Sequence, residues 1–123
     1  MVDMTWIAVA LGGAIGSMIR YMLGLAANAG NWPWGTWIAN VLGSFCIGFL
    51  FVWGKDKWSP QLYLLFTTGL LGGFTTFSTF SLETVQFFLQ GHPWRGLLYV
   101  ISSVGIGIFA AYAGYWAGKH LGL

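Results

Sequence analysis

Residues 72–81 read Gly72-Gly73-Phe74-Thr75-Thr76-Phe77-Ser78-Thr79-Phe80-Ser81. Two adjacent glycines and a run of β-branched and hydroxyl residues make a poor helix centre. The stretch nevertheless sits near the middle of an apolar segment of about 61–89. Its Ser and Thr hydroxyls can offer freed backbone groups alternative partners, so the sequence predicts a helix broken near its middle. Such a break suits a membrane only where it faces protein or a water-filled cavity. An unbroken helix whose hydroxyls bond back one turn is the alternative that composition leaves open.

Outward from this stretch lie three further apolar runs, about 5–26, 34–53 and 94–118. Each is long enough to cross a hydrocarbon core of about 30 Å, which takes about 20 residues. Asn28-Ala29-Gly30-Asn31, Gly54-Lys55-Asp56-Lys57 and Gly91-His92-Pro93 punctuate them as turns, and Ser59-Pro60 is a helix-start signal. Four spans are too few for a closed barrel, and an open sheet leaves its backbone unsatisfied in lipid. The fold class is therefore an all-α membrane protein, one domain over residues 1–123 with four transmembrane helices. Trp32, Trp34, Trp37, Trp53, Trp58, Trp94 and Trp116 fall near the predicted span ends, where indole prefers the headgroup layer. Gly12 with Gly16, Ala39 with Gly43 and Gly114 with Gly118 have the spacing that lets helices approach closely.

Composition agrees. The 123 residues are 57% hydrophobic and 7% charged, with 5 Lys or Arg and 3 Asp or Glu. A soluble domain carries roughly 25% charged residues, so this chain cannot clothe itself in water. A net charge of +2 leaves no patch able to neutralise phosphates, which excludes a nucleic-acid binder. Cys46 is the sole cysteine, and His92 and His120 lie far apart beside loop-like or terminal segments. Neither a disulfide framework, a zinc site nor a catalytic dyad has support, and the chain is not expected to be an enzyme. The start Met1, Val2, Asp3 carries no Lys or Arg, so no cleavable signal peptide is expected.

Charge also bears on orientation. One membrane side would carry Lys55, Lys57 and Lys119; the other would carry Arg95, plus Arg20 if it reaches that surface. Positive-inside asymmetry normally sets the direction of insertion, and here it is nearly absent. Dual topology follows as a hypothesis, with an antiparallel homodimer about an in-plane two-fold axis as its natural closed assembly. A single weakly oriented monomer is the competing reading.

Intramembrane polar groups are costly and face the bundle interior. Arg20, Asn40 and Glu83 each lie about six residues from the same boundary, roughly 9 Å deep at the helical rise. Together they offer guanidinium, amide and carboxylate, read either as an anion vestibule or as an Arg20–Glu83 ion pair or a snorkelling Arg20. Carbonyls bared by a break at mid-depth would suit a small hard cation such as Na+, with Thr75 near the midpoint. Phe77 and Phe80 share a helical face, and their electropositive ring edges can hold a small anion, although core packing is the commoner role. Tyr99, Ser102 and Ser103 add hydroxyls on the fourth span.

With GGAIGSMIRY ending the first span, WPWGTWIANVLGSF opening the second and GGFTTFSTFS in the third, the chain resembles the Fluc (CrcB) family of small bacterial fluoride channels over essentially its full length. The resemblance implies an antiparallel dual-topology homodimer in the inner membrane, with two pores and a Na+ at the dimer centre. By motif it implies Arg20 as vestibule arginine, Asn40 as pore-lining asparagine, Phe77 and Phe80 as the aromatic pair, and Tyr99 and Ser103 as a polar track. It implies that backbone carbonyls of Gly72 and Thr75 hold the Na+. A further track serine carried by some members is Gly107 here.

Passive fluoride efflux is thus the leading functional expectation. The runner-up is a coupled exporter like the small multidrug transporters, which rely on a carboxylate in the first span; here that span holds Arg20 and no acid. A membrane-assembly subunit without transport is the third reading.

Overall fold

The computed structural model describes residues 3–28 and 30–121; Ala29 of the predicted first turn lies outside the described residues. They form α1 (Thr5–Ala27), α2 (Trp34–Trp53), α3 (Pro60–Leu64), a π-helical stretch (Leu65–Leu71), α4 (Gly72–Phe74), α5 (Phe77–Leu89) and α6 (Pro93–Leu121). Among the described residues there is no strand. α1, α2 and α6 are each long and apolar enough to cross a membrane. The exterior is apolar as well: Leu25, Phe109 and Trp94 are 71%, 73% and 79% exposed. The protein is an all-helical membrane protein whose outer surface is suited to lipid tails instead of water.

The helix ends follow from local chemistry. Ser59 caps α3 by accepting the Leu62 N–H at 3.2 Å, with Pro60 in the first turn, where a missing N–H costs nothing. Asn28 Oδ1 accepts the Gly35 N–H at 2.6 Å and so ties the end of α1 to the start of α2. α5 closes at Gly91, whose φ of 79° lies in the left-handed region open to glycine. There the His92 N–H donates to the Phe87 carbonyl at 2.8 Å and the Gly91 N–H to the Phe88 carbonyl at 3.2 Å. This six-to-one and five-to-two pairing satisfies two terminal carbonyls, and Pro93 then opens α6.

Two seams of backbone contact hold the bundle. On α1, a Cβ added at Gly12 would overlap the Leu65 carbonyl oxygen, and one at Gly16 the Leu70 carbonyl oxygen. α1 therefore lies directly on the π-helical stretch. Between α2 and α6, Gly114 meets the Phe45 carbonyl and Gly48 the Ala111 carbonyl in the same way. In lipid, where no hydrophobic effect drives helices together, such close approach is what dispersion attraction requires. The buried aromatic cluster of Phe80, Phe87 and Tyr99 sits between α5 and α6, with Trp32 and Trp37 against it.

The segment 60–89 is not one regular helix. Its first half widens into the π-helical stretch, and helical geometry stops at Thr75 (ψ 156°) and Thr76 (φ −152°, ψ 127°), both extended. Thr76 then caps α5 by accepting the Thr79 N–H at 3.2 Å.

Candidate functional site

The extended pair Thr75-Thr76 is held from both sides. Asn40 of α2 donates from Nδ2 to the Thr76 carbonyl at 3.0 Å and accepts the Thr76 N–H on Oδ1 at 2.8 Å. Arg20 of α1 donates from Nε to the Gly73 carbonyl at 3.1 Å. In an unbroken helix the Thr76 and Thr79 N–H groups would serve the carbonyls of Gly72 and Thr75. Here they go to Asn40 Oδ1 and Thr76 Oγ1 instead.

Arg20 and Glu83 do not pair with each other. Glu83 accepts from the Tyr99 hydroxyl at 2.8 Å and from the Thr36 hydroxyl at 3.1 Å. Arg20, half-buried, and Glu83 line one open-sided cavity of about 440 Å³ together with Thr36 and Thr79. Asn40 belongs to a second open-sided cavity of about 340 Å³, shared with Ser44, Thr67, Thr75, Thr76 and Phe77. The polar layer expected at one depth is thus divided between two cavities, with Arg20 and Asn40 both anchored on the backbone of residues 73–76.

Phe77 and Phe80 stand with ring centroids 5.8 Å apart and planes at 55°. Phe80 is buried against Tyr99, centroids 5.0 Å apart. Phe77, at the first turn of α5, is 77% exposed. Ser103 Oγ is buried with no hydrogen-bond partner among the described residues. Ser102 is engaged elsewhere: it accepts the Trp37 indole N–H at 3.1 Å. No group of three or more His, Cys, Asp or Glu side chains able to hold a metal is found among the described residues.

Sequence reasoning named Asn40 but passed over Thr36, the residue that bonds Glu83, and Ser44. The signal was present: Thr36, Asn40 and Ser44 are spaced by four on α2, which puts them on one helical face. Nothing in the pattern pointed to the Trp37–Ser102 bond.

Chemically, the arrangement offers a guanidinium at one cavity, amide and hydroxyl donors at the next, and an aromatic pair beside the extended Thr75-Thr76 pair. Only one carboxylate is present, and its oxygens are occupied by two hydroxyl donors. Such a set favours a small anion over a cation.

The family model described as CrcB-like protein, Camphor Resistance (CrcB), matches residues 7–115. A protein of Roseobacter denitrificans called "Fluoride-specific ion channel FluC" is 46% identical over 118 residues, covering 92% of this chain and 94% of its own length. Proteins bearing the same name from Rhizobium meliloti, 46% identical over 86% of this chain and 89% of their own, and from Desulfotalea psychrophila, 44% identical over 89% and 88%, are similar in the same way. With a family model spanning residues 7–115 and such relatives along nearly its whole length, the chain belongs to the CrcB family.

Proposed function

We propose that this protein is a fluoride-selective channel that lets fluoride accumulated in a cell leave passively, lowering its toxicity. The observation that carries the reading is similarity along 92% of the chain to a protein named a fluoride-specific ion channel. The site supports it. The Arg20 guanidinium draws the anion into the cavity that Glu83 and Thr36 share. The Asn40 amide and the Thr76 hydroxyl border the next cavity, where water is stripped. Phe77 and Phe80 then present ring edges, electropositive and too weak to trap the ion. The Ser103 hydroxyl, without a partner among the described residues, supplies a further donor, while Tyr99 beside it holds the Glu83 carboxylate. Several weak sites in series favour conduction over tight binding. No covalent step is involved, and we assign no enzymatic activity.

The finer architecture belongs to the same proposal. Segment 60–89 crosses the bilayer as two half-helices joined at Thr75-Thr76. Two copies associate antiparallel, a reading supported by the even spread of Lys and Arg and by an exposed Phe77 beside the cavity. The carbonyls of Gly72 and Thr75, whose helical donors are diverted, would hold a Na+ at the dimer centre; hard cations take oxygen ligands. When bound, the cation supplies charge that ties the two broken segments together. The location is the bacterial inner membrane.

The coupled-exporter reading lacks its carboxylate, since α1 contains no Asp or Glu. Purified protein in liposomes loaded with fluoride or chloride decides the function: a fluoride-selective electrode should record rapid release once a potassium ionophore balances charge, while chloride is retained. Absence of fluoride release from protein that elutes as one folded species would sink the proposal.

A further inference from the structure

The geometry points to Ser44 as an additional hydroxyl ligand of the anion pathway, delivered from α2 to the level where α6 offers only Gly107. The inference rests on the channel reading above and names a residue that reading does not use. α2 carries Thr36, Asn40 and Ser44 four residues apart on one face. The first two have fixed partners: Thr36 donates to Glu83 at 3.1 Å, and Asn40 is paired twice with Thr76. Ser44 lines the same cavity as Asn40, is half-buried and, among the described residues, makes no hydrogen bond. A serine in that state can turn its O–H toward whatever passes, because the hydroxyl rotates about a single bond.

The packing of α6 beside α2, outside the lining of that cavity, bears on how much of the hydroxyl is covered. Tyr99, Ser103 and Gly107 are also four apart along α6; the first two bring hydroxyls and the third brings no side chain. A Cβ built on Gly107 would lie 3.6 Å from Ser44 Oγ, ordinary van der Waals contact. Any side chain there would stand against Ser44 Oγ and cover one side of it, whereas glycine leaves that side open. The two helices thus exchange roles over one turn, α6 donating at Ser103 and α2 at Ser44. The ligand class is a small, strongly hydrated anion, for which a neutral donor at short range replaces one shell water.

The test is fluoride efflux from proteoliposomes containing wild type, Ser44→Ala, and Ser44→Ala with Gly107→Ser. Ser44→Ala removes a hydroxyl with no protein partner, so gel-filtration behaviour and thermal midpoint should match wild type. Its flux should fall roughly tenfold, the scale of one hydrogen bond to a charged group. Gly107→Ser returns a hydroxyl to the same space from the other helix and should restore most of the flux. Wild-type flux in Ser44→Ala overturns the assignment, and so does a loss that Gly107→Ser does not repair. A wild-type protein that releases no fluoride defeats the channel reading itself, an outcome distinct from either.

Discussion

The side chain of Asn40 forms a two-bond ring with the backbone of Thr76, Nδ2 giving to the carbonyl at 3.0 Å and Oδ1 taking the N–H at 2.8 Å. An amide is the one side chain that matches a peptide unit donor for acceptor, so Asn40 replaces the helical bonds that Thr76 forgoes, while Thr75 keeps its N–H bond to the Leu71 carbonyl. Asn40→Leu should leave both groups of Thr76 unsatisfied at about 1–3 kcal/mol each. The expected outcome is a fall of several degrees in thermal midpoint in detergent together with loss of fluoride flux. Asn40→Asp keeps the acceptor, loses the donor and adds negative charge, and should abolish flux with a smaller drop in midpoint. An Asn40→Leu protein as stable as wild type would show that the ring does not hold the break.

The two phenylalanines should separate stability from transport. Phe80 is 7% exposed and packs on Tyr99, while Phe77 is 77% exposed in the single chain. Phe80→Ile removes part of a buried aromatic cluster and should cost about 1–3 kcal/mol of stability as well as flux. Phe77→Ile should leave the protomer's helicity and midpoint near wild type yet abolish fluoride efflux, because only the ring edge is lost. Full-rate efflux in both variants would remove the aromatic step from the mechanism.

How much of this was legible in the sequence depends on the kind of signal. The all-helical class followed from apolar run length and the scarcity of charge, which are properties of the whole chain. Ser59-Pro60 and Gly91-His92-Pro93 announced helix ends because capping and left-handed glycine are local. Glu83 was another matter: pairing it with Arg20 is natural from charge, yet its carboxylate is bonded by Tyr99 and Thr36. Hydroxyl donors on neighbouring helices win there, while the Arg20 guanidinium turns to the Gly73 carbonyl. The π-helical stretch Leu65–Leu71 left no mark in composition; it lies where Gly12 and Gly16 of α1 approach its backbone. The α1 seam was half visible: the Gly12 and Gly16 spacing suggested close approach but not what they approach.

That seam gives a stability prediction free of any transport assumption. Added Cβ atoms at Gly12 and Gly16 would overlap backbone carbonyl oxygens, which cannot step aside as a flexible side chain can. Gly12→Ala and Gly16→Ala should each lower stability by at least about 1–3 kcal/mol, the cost of overpacking, and reduce the yield of monodisperse protein. Gly105, with nothing within 4 Å of its added Cβ, is the control. Gly105→Ala should be neutral or slightly stabilising, because alanine is the better helix former by roughly 0.8–1 kcal/mol. Equal behaviour of all three variants in a thermal series would contradict the close packing of α1 on the segment 65–73.

Orientation can be tested through charge alone. Lys55, Lys57 and Lys119 oppose Arg95, joined by Arg20 if its side chain reaches that surface, so that few charges separate the two directions of insertion. A C-terminal tag on the wild-type chain should therefore be labelled from both faces of the membrane. Gln90→Lys with His92→Lys adds two cations to the loop between α5 and α6, drawing that loop to the cytoplasm and sending the C-terminus out. If function needs an antiparallel pair, this biased chain alone should conduct little fluoride. The complement is coexpression with an oppositely biased partner. The partner must keep its three lysines and carry Arg95→Gln only, which holds the C-terminus in. Mixed expression should then restore flux that the loop-charged chain lacks. A biased chain that conducts at the wild-type rate by itself, with its tag labelled from one side only, rules out the antiparallel assembly.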